Sequence, residues 1–137
     1  MAKIIDGARL SSEIRAELAK GVQELEAHGI VPGLTVVLVG NDPASEVYVR
    51  SKARACEALG MDSRILRFPE DVTRDELFGA IDGLNADPRV HGILVQLPIP
   101  EHLPYKAVLE RIDPEKDVDG FHPLNNGRAF VGDPRGF

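Results

Sequence analysis

A chain of 137 residues, 43% of them hydrophobic, can build one domain with a real core but is too short for two of ordinary size. Its 16 Lys and Arg stand against 22 Asp and Glu, a net charge of -6 with no dense basic run. That balance argues against nucleic acid or an anionic membrane as partner and suits a small polar substrate.

The start, Met1 to Gly7, meets Asp6 before any hydrophobic stretch develops, so no secretory signal is expected there. Leu10, Ile14, Leu18, Val22 and Leu25 recur at helical spacing, with Asp6 as cap and Gly29 as stop, and predict a first helix. The run 34–39 is continuous, β-branched and closed by Gly40-Asn41, as in a strand covered on both faces. Neither it nor the run 93–95 approaches the ~20 residues that cross a bilayer. A second helix enters through Gly40-Asn41-Asp42-Pro43 and runs to Gly60. It carries Cys56, the only cysteine, which excludes a disulfide framework, reads as a small buried group, and makes a reducing cytoplasm the expected setting.

Residues 63–68 alternate as a second strand before Pro69, and Thr73 with Glu76 forms a capping box for a helix ending at Asn85-Ala86-Asp87-Pro88. A third strand spans 90–97 and must leave the sheet at Pro98-Ile99-Pro100, because proline cannot donate to a ladder. A short helix over 104–112 and then a loop complete the chain. Strands alternating with helices predict an α/β fold: a mostly parallel sheet with helices on both faces, a three-layer α/β/α single domain. Ligands in such sheets lie outside the carboxyl ends of the strands, so the loops 40–45 and 96–100 should border one crevice.

Tyr48 and Lys52 share a helical face at that crevice, where an aromatic surface beside a cation could hold a flat substrate and move a proton. Such a pair also occurs by chance on solvated helices. Gln96 is the first polar side chain after Gly92-Ile93-Leu94-Val95 and could orient an ammonium or a substrate amide, or could simply satisfy nearby backbone. In Lys116-Asp117-Val118-Asp119-Gly120 the two aspartates flank a valine, so an extended chain would point both to one side. Asp119 before Gly120 sits where a turn exposes a carboxylate, and solvated turn chemistry is the competing explanation. Two carboxylates make a poor metal site, and His28, His91, His102 and His122 show no ligand spacing, so no metal is expected. His28 reads as a helix-end residue. No Gly-x-Gly-x-x-Gly or Gly-x-x-x-x-Gly-Lys is present, so no nucleotide-cofactor site is expected in this chain.

Three blocks taken together carry a resemblance: Val39 to Ser45 continuing through Tyr48 and Lys52 to Gly60; Gly92 to Pro100 with Gln96-Leu97-Pro98-Ile99-Pro100; and Pro114 to Phe121 with Lys116-Asp117-Val118-Asp119-Gly120. Their order and spacing resemble the bifunctional methylenetetrahydrofolate dehydrogenase/methenyltetrahydrofolate cyclohydrolase family over essentially the whole chain. The resemblance implies oxidation of 5,10-methylenetetrahydrofolate with NADP or NAD, followed by hydrolysis to 10-formyltetrahydrofolate. It implies Lys52 in proton transfer, Tyr48 stacked on the folate rings, Gln96 hydrogen-bonded to Lys52, and Asp119 on the pterin donors. Leu97 and Pro98 would complete the substrate-binding set. Ile99, Asn126 and Ala129 depart from the family's commonest residues, which bears on local packing more than on the site.

Family members continue into a Pro-Cys-Thr-Pro stretch, a dinucleotide-binding domain and a final helix that packs back on the first domain. The resemblance therefore implies a folate-binding catalytic domain over residues 1–120, with 121–137 starting the connection to a cofactor domain absent from this chain. It implies tetrahydrofolate derivatives as ligands and a homodimer for the full-length enzyme. The rival expectation is a truncated, non-catalytic folate-binding or assembly module.

Overall fold

The structure, a computed structural model, describes residues 4–135. Its elements in chain order are α1 (Gly7–Ala27), β1 (Gly33–Val39), α2 (Pro43–Ala58), β2 (Asp62–Phe68), α3 (Arg74–Ala86), β3 (Gly92–Val95), α4 (Tyr105–Arg111) and α5 (Pro123–Phe130). The strands form one sheet in the order β2-β1-β3, and both pairings are parallel. Each parallel step needs a crossover, supplied by α2 and then α3.

β1 is the central strand, and the two-residue period of its side chains divides the core. Val37 and Val39, with Ile93 and Val95 of β3, pack against Leu77 and Ile81 of α3 and Val108 and Leu109 of α4. Val36 and Leu38, with Leu94, pack on the opposite face against Val49 of α2. This is the three-layer arrangement expected from a continuous apolar run in β1.

The caps follow the sequence. Asp6 Oδ1 accepts from Arg9 N–H at 3.0 Å to start α1, and Thr73 with Glu76 forms the reciprocal box that starts α3. α1 departs from an ordinary core helix. Only Val22 is buried, while Leu10, Ile14, Leu18 and Leu25 stay 41–52% exposed, the first three beside a groove of about 510 Å³ between α1 and α2.

Two elements differ from expectation. β3 has four residues rather than eight, although ladder-type bonds run one residue beyond each end: His91 N–H donates to Gly33 O and Gln96 N–H to Val37 O. The chain after α4 is also not simply a loop, because α5 forms there. His122 Nδ1 accepts from Leu124 N–H as its N-cap, and Pro123 occupies the first turn, where its missing donor is no loss. That His-Pro entry was the available signal.

Candidate active site

The entry of α2 fixes one wall. Gly40 turns the chain out of β1 at φ 80°, and Asp42 Oδ2 accepts from Ser45 N–H at 2.7 Å. That bond holds the Asp42 carboxyl below the usual carboxylate range. Ser45 is buried and aims Oγ at the carbonyl of Leu97, 3.5 Å away. The β1–α2 loop and the β3 exit therefore meet, as the topology of a parallel sheet requires. Gly40, Asp42, Pro98 and Pro100 line a cavity of about 370 Å³ between them, and the Leu97-Pro98 peptide is cis.

Gln96 forms the second wall. Its Nε2–H donates to Leu97 O at 2.9 Å, so that carbonyl accepts from both Gln96 and Ser45. Gln96 Oε1 is buried with no hydrogen-bond partner among the described residues. The bond to Lys52 implied by the resemblance is thus not made in this structure, and the acceptor that would make it stands free.

The third wall is the segment between α4 and α5, held at two points. Lys116 Nζ donates to Leu84 O, Asn85 O and Asp87 O at 2.7–3.1 Å, placing a cation on the last carbonyls of α3. Asp117 is 2% exposed and accepts from Phe121 N–H, His122 N–H and Asn125 Nδ2–H. Asn125, itself fully buried, also donates to Pro114 O at 2.8 Å. Between the anchors, Ile93 N–H donates to Lys116 O at 2.7 Å, and Val118 lies over Gly92 so closely that a Cβ there would stand 2.6 Å from its Cγ1.

The two aspartates do not point the same way. The chain bends at Val118 and Asp119 and turns at Gly120, φ 68°, so Asp117 is drawn inward to α5 while Asp119 keeps an exposed carboxylate. Partial desolvation pushes the Asp119 carboxyl above its ordinary range. The nearby Lys52 ammonium opposes that rise, and the Asp117 charge adds to it. Lys52 is half-buried and borders the α1–α2 groove. Tyr48, one turn before it, is 64% exposed and offers a free ring face.

Ser45, Tyr48 and Lys52 recur at three- and four-residue spacing on one side of α2, so the Ser45–Leu97 contact aligns that side with the β3 exit. The Lys52–Asp119 field ties it to the third wall. An aromatic face and an amine thus share one side of α2, whose entry meets the strand exit that carries Gln96, and the amine's charge reaches the Asp119 carboxyl.

Sequence reasoning missed Ser45 as the contact between walls and Asn125 as the anchor of the third. A polar residue two positions into a helix after an Asp cap, and an asparagine one turn into a His-Pro helix, were the signals. The histidines have structural partners. His28 caps α1, His91 Nδ1 accepts from Gly33 N–H, His102 Nε2 pairs with Val72 O, and His122 caps α5. Burial pushes the half-buried Cys56 thiol up. Among the described residues no group of three or more His, Cys, Asp and Glu is arranged to hold a metal, and no helix is long and apolar enough to cross a membrane.

The chain is 65% identical over 137 residues to the bifunctional protein FolD 1 of Myxococcus xanthus, covering 100% of this chain and 47% of that protein. It superposes on the bifunctional FolD methylenetetrahydrofolate dehydrogenase/cyclohydrolase of Campylobacter jejuni with a TM-score of 0.94 and 48% identity, covering 96% of this chain and 47% of that one. It matches the Trypanosoma brucei methylenetetrahydrofolate dehydrogenase-cyclohydrolase, solved with NADP cofactor and inhibitor, at a TM-score of 0.90 and 36% identity, covering 95% and 44%. The chain thus spans about half the length of these relatives. Residues 5–119 match the model of the tetrahydrofolate dehydrogenase/cyclohydrolase catalytic domain, and the chain belongs to that family.

Proposed function

We propose that this chain is the folate-binding catalytic part of an enzyme that oxidises 5,10-methylenetetrahydrofolate to the methenyl form with NADP and hydrolyses it to 10-formyltetrahydrofolate. The observation that carries the reading is Gln96 Oε1, a buried acceptor without a partner among the described residues, at the β3 exit that the Ser45–Leu97 contact joins to the entry of α2. Leaving such a group unmet costs about 1–3 kcal/mol, and a ligand or a reoriented Lys52 would recover it.

In this reading Asp119 accepts the pterin's adjacent N–H donors, and the exposed ring of Tyr48 stacks on the folate. Leu97 and Pro98 border the ring at the strand exit. Gln96 Oε1 orients Lys52 without adding charge. In hydrolysis, water oxygen bonds to the methenyl carbon and gives up both protons: Lys52 Nζ relays one to the ring nitrogen whose bond to the carbon breaks, and the other leaves to solvent with the positive charge of the methenyl group.

The oxidative step needs a nicotinamide cofactor, which supplies the electron acceptor when bound. Among the described residues no strand-to-helix turn carries the glycine pattern that cradles a dinucleotide, so NADP would be held by parts found in the longer relatives. The half-exposed stripe of α1 supports burial of that helix against further polypeptide, and we read the full-length protein as a homodimer. A cytoplasmic location rests on the single cysteine.

The test is a titration of the 137-residue chain with a tetrahydrofolate analogue, followed by amide chemical shifts. Changes concentrated at Tyr48, Lys52, Gln96 and Asp119 are expected, with no NADP reduction by this chain alone. Binding without change at Asp119 or Gln96 would remove the reading.

A further inference from the structure

Lys116 stands where the sheet, α3 and the third wall meet. Its carbonyl accepts from Ile93 N–H of β3 at 2.7 Å, and its own N–H donates to Asp113 O at 2.8 Å. Its ammonium donates to Leu84 O at 3.1 Å, Asn85 O at 2.7 Å and Asp87 O at 3.0 Å, at the end of α3. An ammonium has three donors, so all of them are used. The next residue, Asp117, pairs with Ile93 as a single parallel bridge, and Asp119 follows two positions on.

α3 does not need this cation to finish. Leu84 O also accepts from Asp87 N–H and Asp87 O from Val90 N–H, so only Asn85 O has Lys116 as its sole donor among the described residues. The acceptors are themselves held in place. Asn85 Nδ2–H donates to Arg111 O, Asn85 Oδ1 accepts from Asp113 N–H, and the Arg111 guanidinium grips Asp82, which ties the end of α3 to α4. The ammonium therefore adds more to the placement of residue 116 than to the helix. Arginine is no substitute, because a planar fork spreads its donors while three carbonyls here converge on one point.

Lys116 does not act on the Asp119 carboxyl by charge: burial, Lys52 and Asp117 are what move that group. Its influence travels along the backbone, which is pinned at 116 and 117 and bends at Val118 and Asp119.

We propose that Lys116 is a positioning residue for substrate binding: through its three bonds to the end of α3 it sets where Asp119 presents its carboxylate to the pterin. The proposal rests on the folate reading above. A carboxylate that accepts two adjacent N–H donors tolerates little drift, because both N–H···O geometries must hold together. The signature is a binding loss that appears only while Asp119 is there to make the contact.

The test is a double-mutant cycle in tetrahydrofolate affinity on the 137-residue chain, with the parent, Lys116→Met, Asp119→Asn and the two combined. Lys116→Met keeps the length of the side chain and removes every donor. It should weaken binding about tenfold in the parent, within the worth of one charge-assisted hydrogen bond, and by less than about twofold beside Asp119→Asn. A merely structural Lys116 lowers stability in urea without this dependence on Asp119, so equal losses in both backgrounds, or none in either, overturn the proposal.

Lys116→Gln, with two donors and no charge, covers the case of a Met variant that does not fold. Its loss should be smaller and should again vanish beside Asp119→Asn; a loss that persists there counts against the positioning role. Lys116→Arg separates charge from geometry and should bind as weakly as the Met variant, whereas binding like that of the parent would make charge the cause. An Asp119→Asn chain that holds tetrahydrofolate as tightly as the parent sinks the folate reading and this proposal with it. A clear Asp119→Asn loss with an independent Lys116→Met loss sinks the positioning role alone.

Discussion

Gln96 donates through Nε2 to the carbonyl of Leu97 at 2.9 Å and leaves its own Oε1 buried and unmet. Ser45 Oγ reaches the same carbonyl at 3.5 Å, so Leu97 O has a second donor if Gln96 is removed. A glutamine kept for packing would be better replaced by an apolar residue of equal length. Gln96→Met should therefore leave folding stability unchanged or raise it by about 1 kcal/mol, while folate affinity falls at least several-fold. Urea unfolding and a folate titration read the two effects separately. A large loss of stability with affinity intact would make Gln96 a structural residue.

Lys52 borders the α1–α2 groove, and its charge reaches the Asp119 carboxyl. In a full-length enzyme carrying this sequence, Lys52→Met should lower methenyl hydrolysis by about 10²–10⁴-fold, the usual worth of a positioned acid–base group. Folate affinity should move far less, because Tyr48 and Asp119 remain. Turnover near that of the parent would take proton transfer away from Lys52.

Asp119 gives a pH dependence whose sign is fixed. Burial raises its carboxyl above the ordinary value of 3.8, against the pull of Lys52. From 3.8 up to the raised value, the folded chain holds a proton that the unfolded chain has released, so stability falls as pH climbs through that window. Asp119→Asn should remove this fall and be slightly more stable at neutral pH. Binding runs the other way, since only the ionised carboxylate accepts two N–H donors. Folate affinity should therefore fade on acidification at a higher pH than an ordinary aspartate would give, and that dependence should vanish in the Asn variant. Titrations from neutral to acid pH on both proteins decide it.

What was legible in the sequence was what repeats or punctuates. The unbroken run of β1 has a two-residue period that needs apolar partners on both faces, so a buried central strand followed directly. The Thr73–Glu76 box and the Asp42-Pro43 entry are local chemistry readable within four residues. The site was legible where topology sufficed: the β1–α2 loop and the β3 exit must meet at the carboxyl edge of a parallel sheet. Illegible were contacts between segments distant in sequence. Nothing near Asp117 shows that Phe121, His122 and Asn125 will turn it inward, so an extended reading placed both aspartates on one side. Nor does the stripe of Leu10, Ile14 and Leu18 tell from periodicity alone that it stays half exposed.

Gly92 sets how closely the third wall approaches β3. A Cβ at that position would fall 2.6 Å from Val118 Cγ1 and 3.2 Å from Leu34 Cδ1. Val118 is β-branched, so turning χ1 to clear one methyl swings the other round and few rotamers are open, which presses the strain onto its backbone, and Asp119 follows directly. Gly92→Ala should cost about 1–3 kcal/mol by overpacking and weaken folate binding through the displaced carboxylate. Pairing it with Val118→Ala should recover most of both losses. A double-mutant cycle in stability and in affinity measures the recovery, and additive losses would separate Gly92 from the Asp119 wall.

The anchor of that wall allows the most discriminating substitution. Asp117 is a buried carboxylate stabilised by three N–H donors and the first turn of α5, and Asn125 supplies one of them while also holding Pro114 O. Asn125→Ala strips a donor from a buried charge and leaves a carbonyl unmet, a loss of about 2–4 kcal/mol that should free α5. Faster hydrogen exchange at the Phe121 and His122 amides would report it. Asp117→Asn keeps a similar shape and removes the charge. Because the Asp117 charge raises the Asp119 carboxyl, its removal should lower that group toward the ordinary range and carry the acid loss of folate binding to lower pH. A purely structural role for Asp117 predicts weaker binding at every pH with no movement of the midpoint. The binding midpoint against pH, compared between Asp117→Asn and the parent chain, therefore separates an anchor that also sets the charge state of Asp119 from one that only holds the loop.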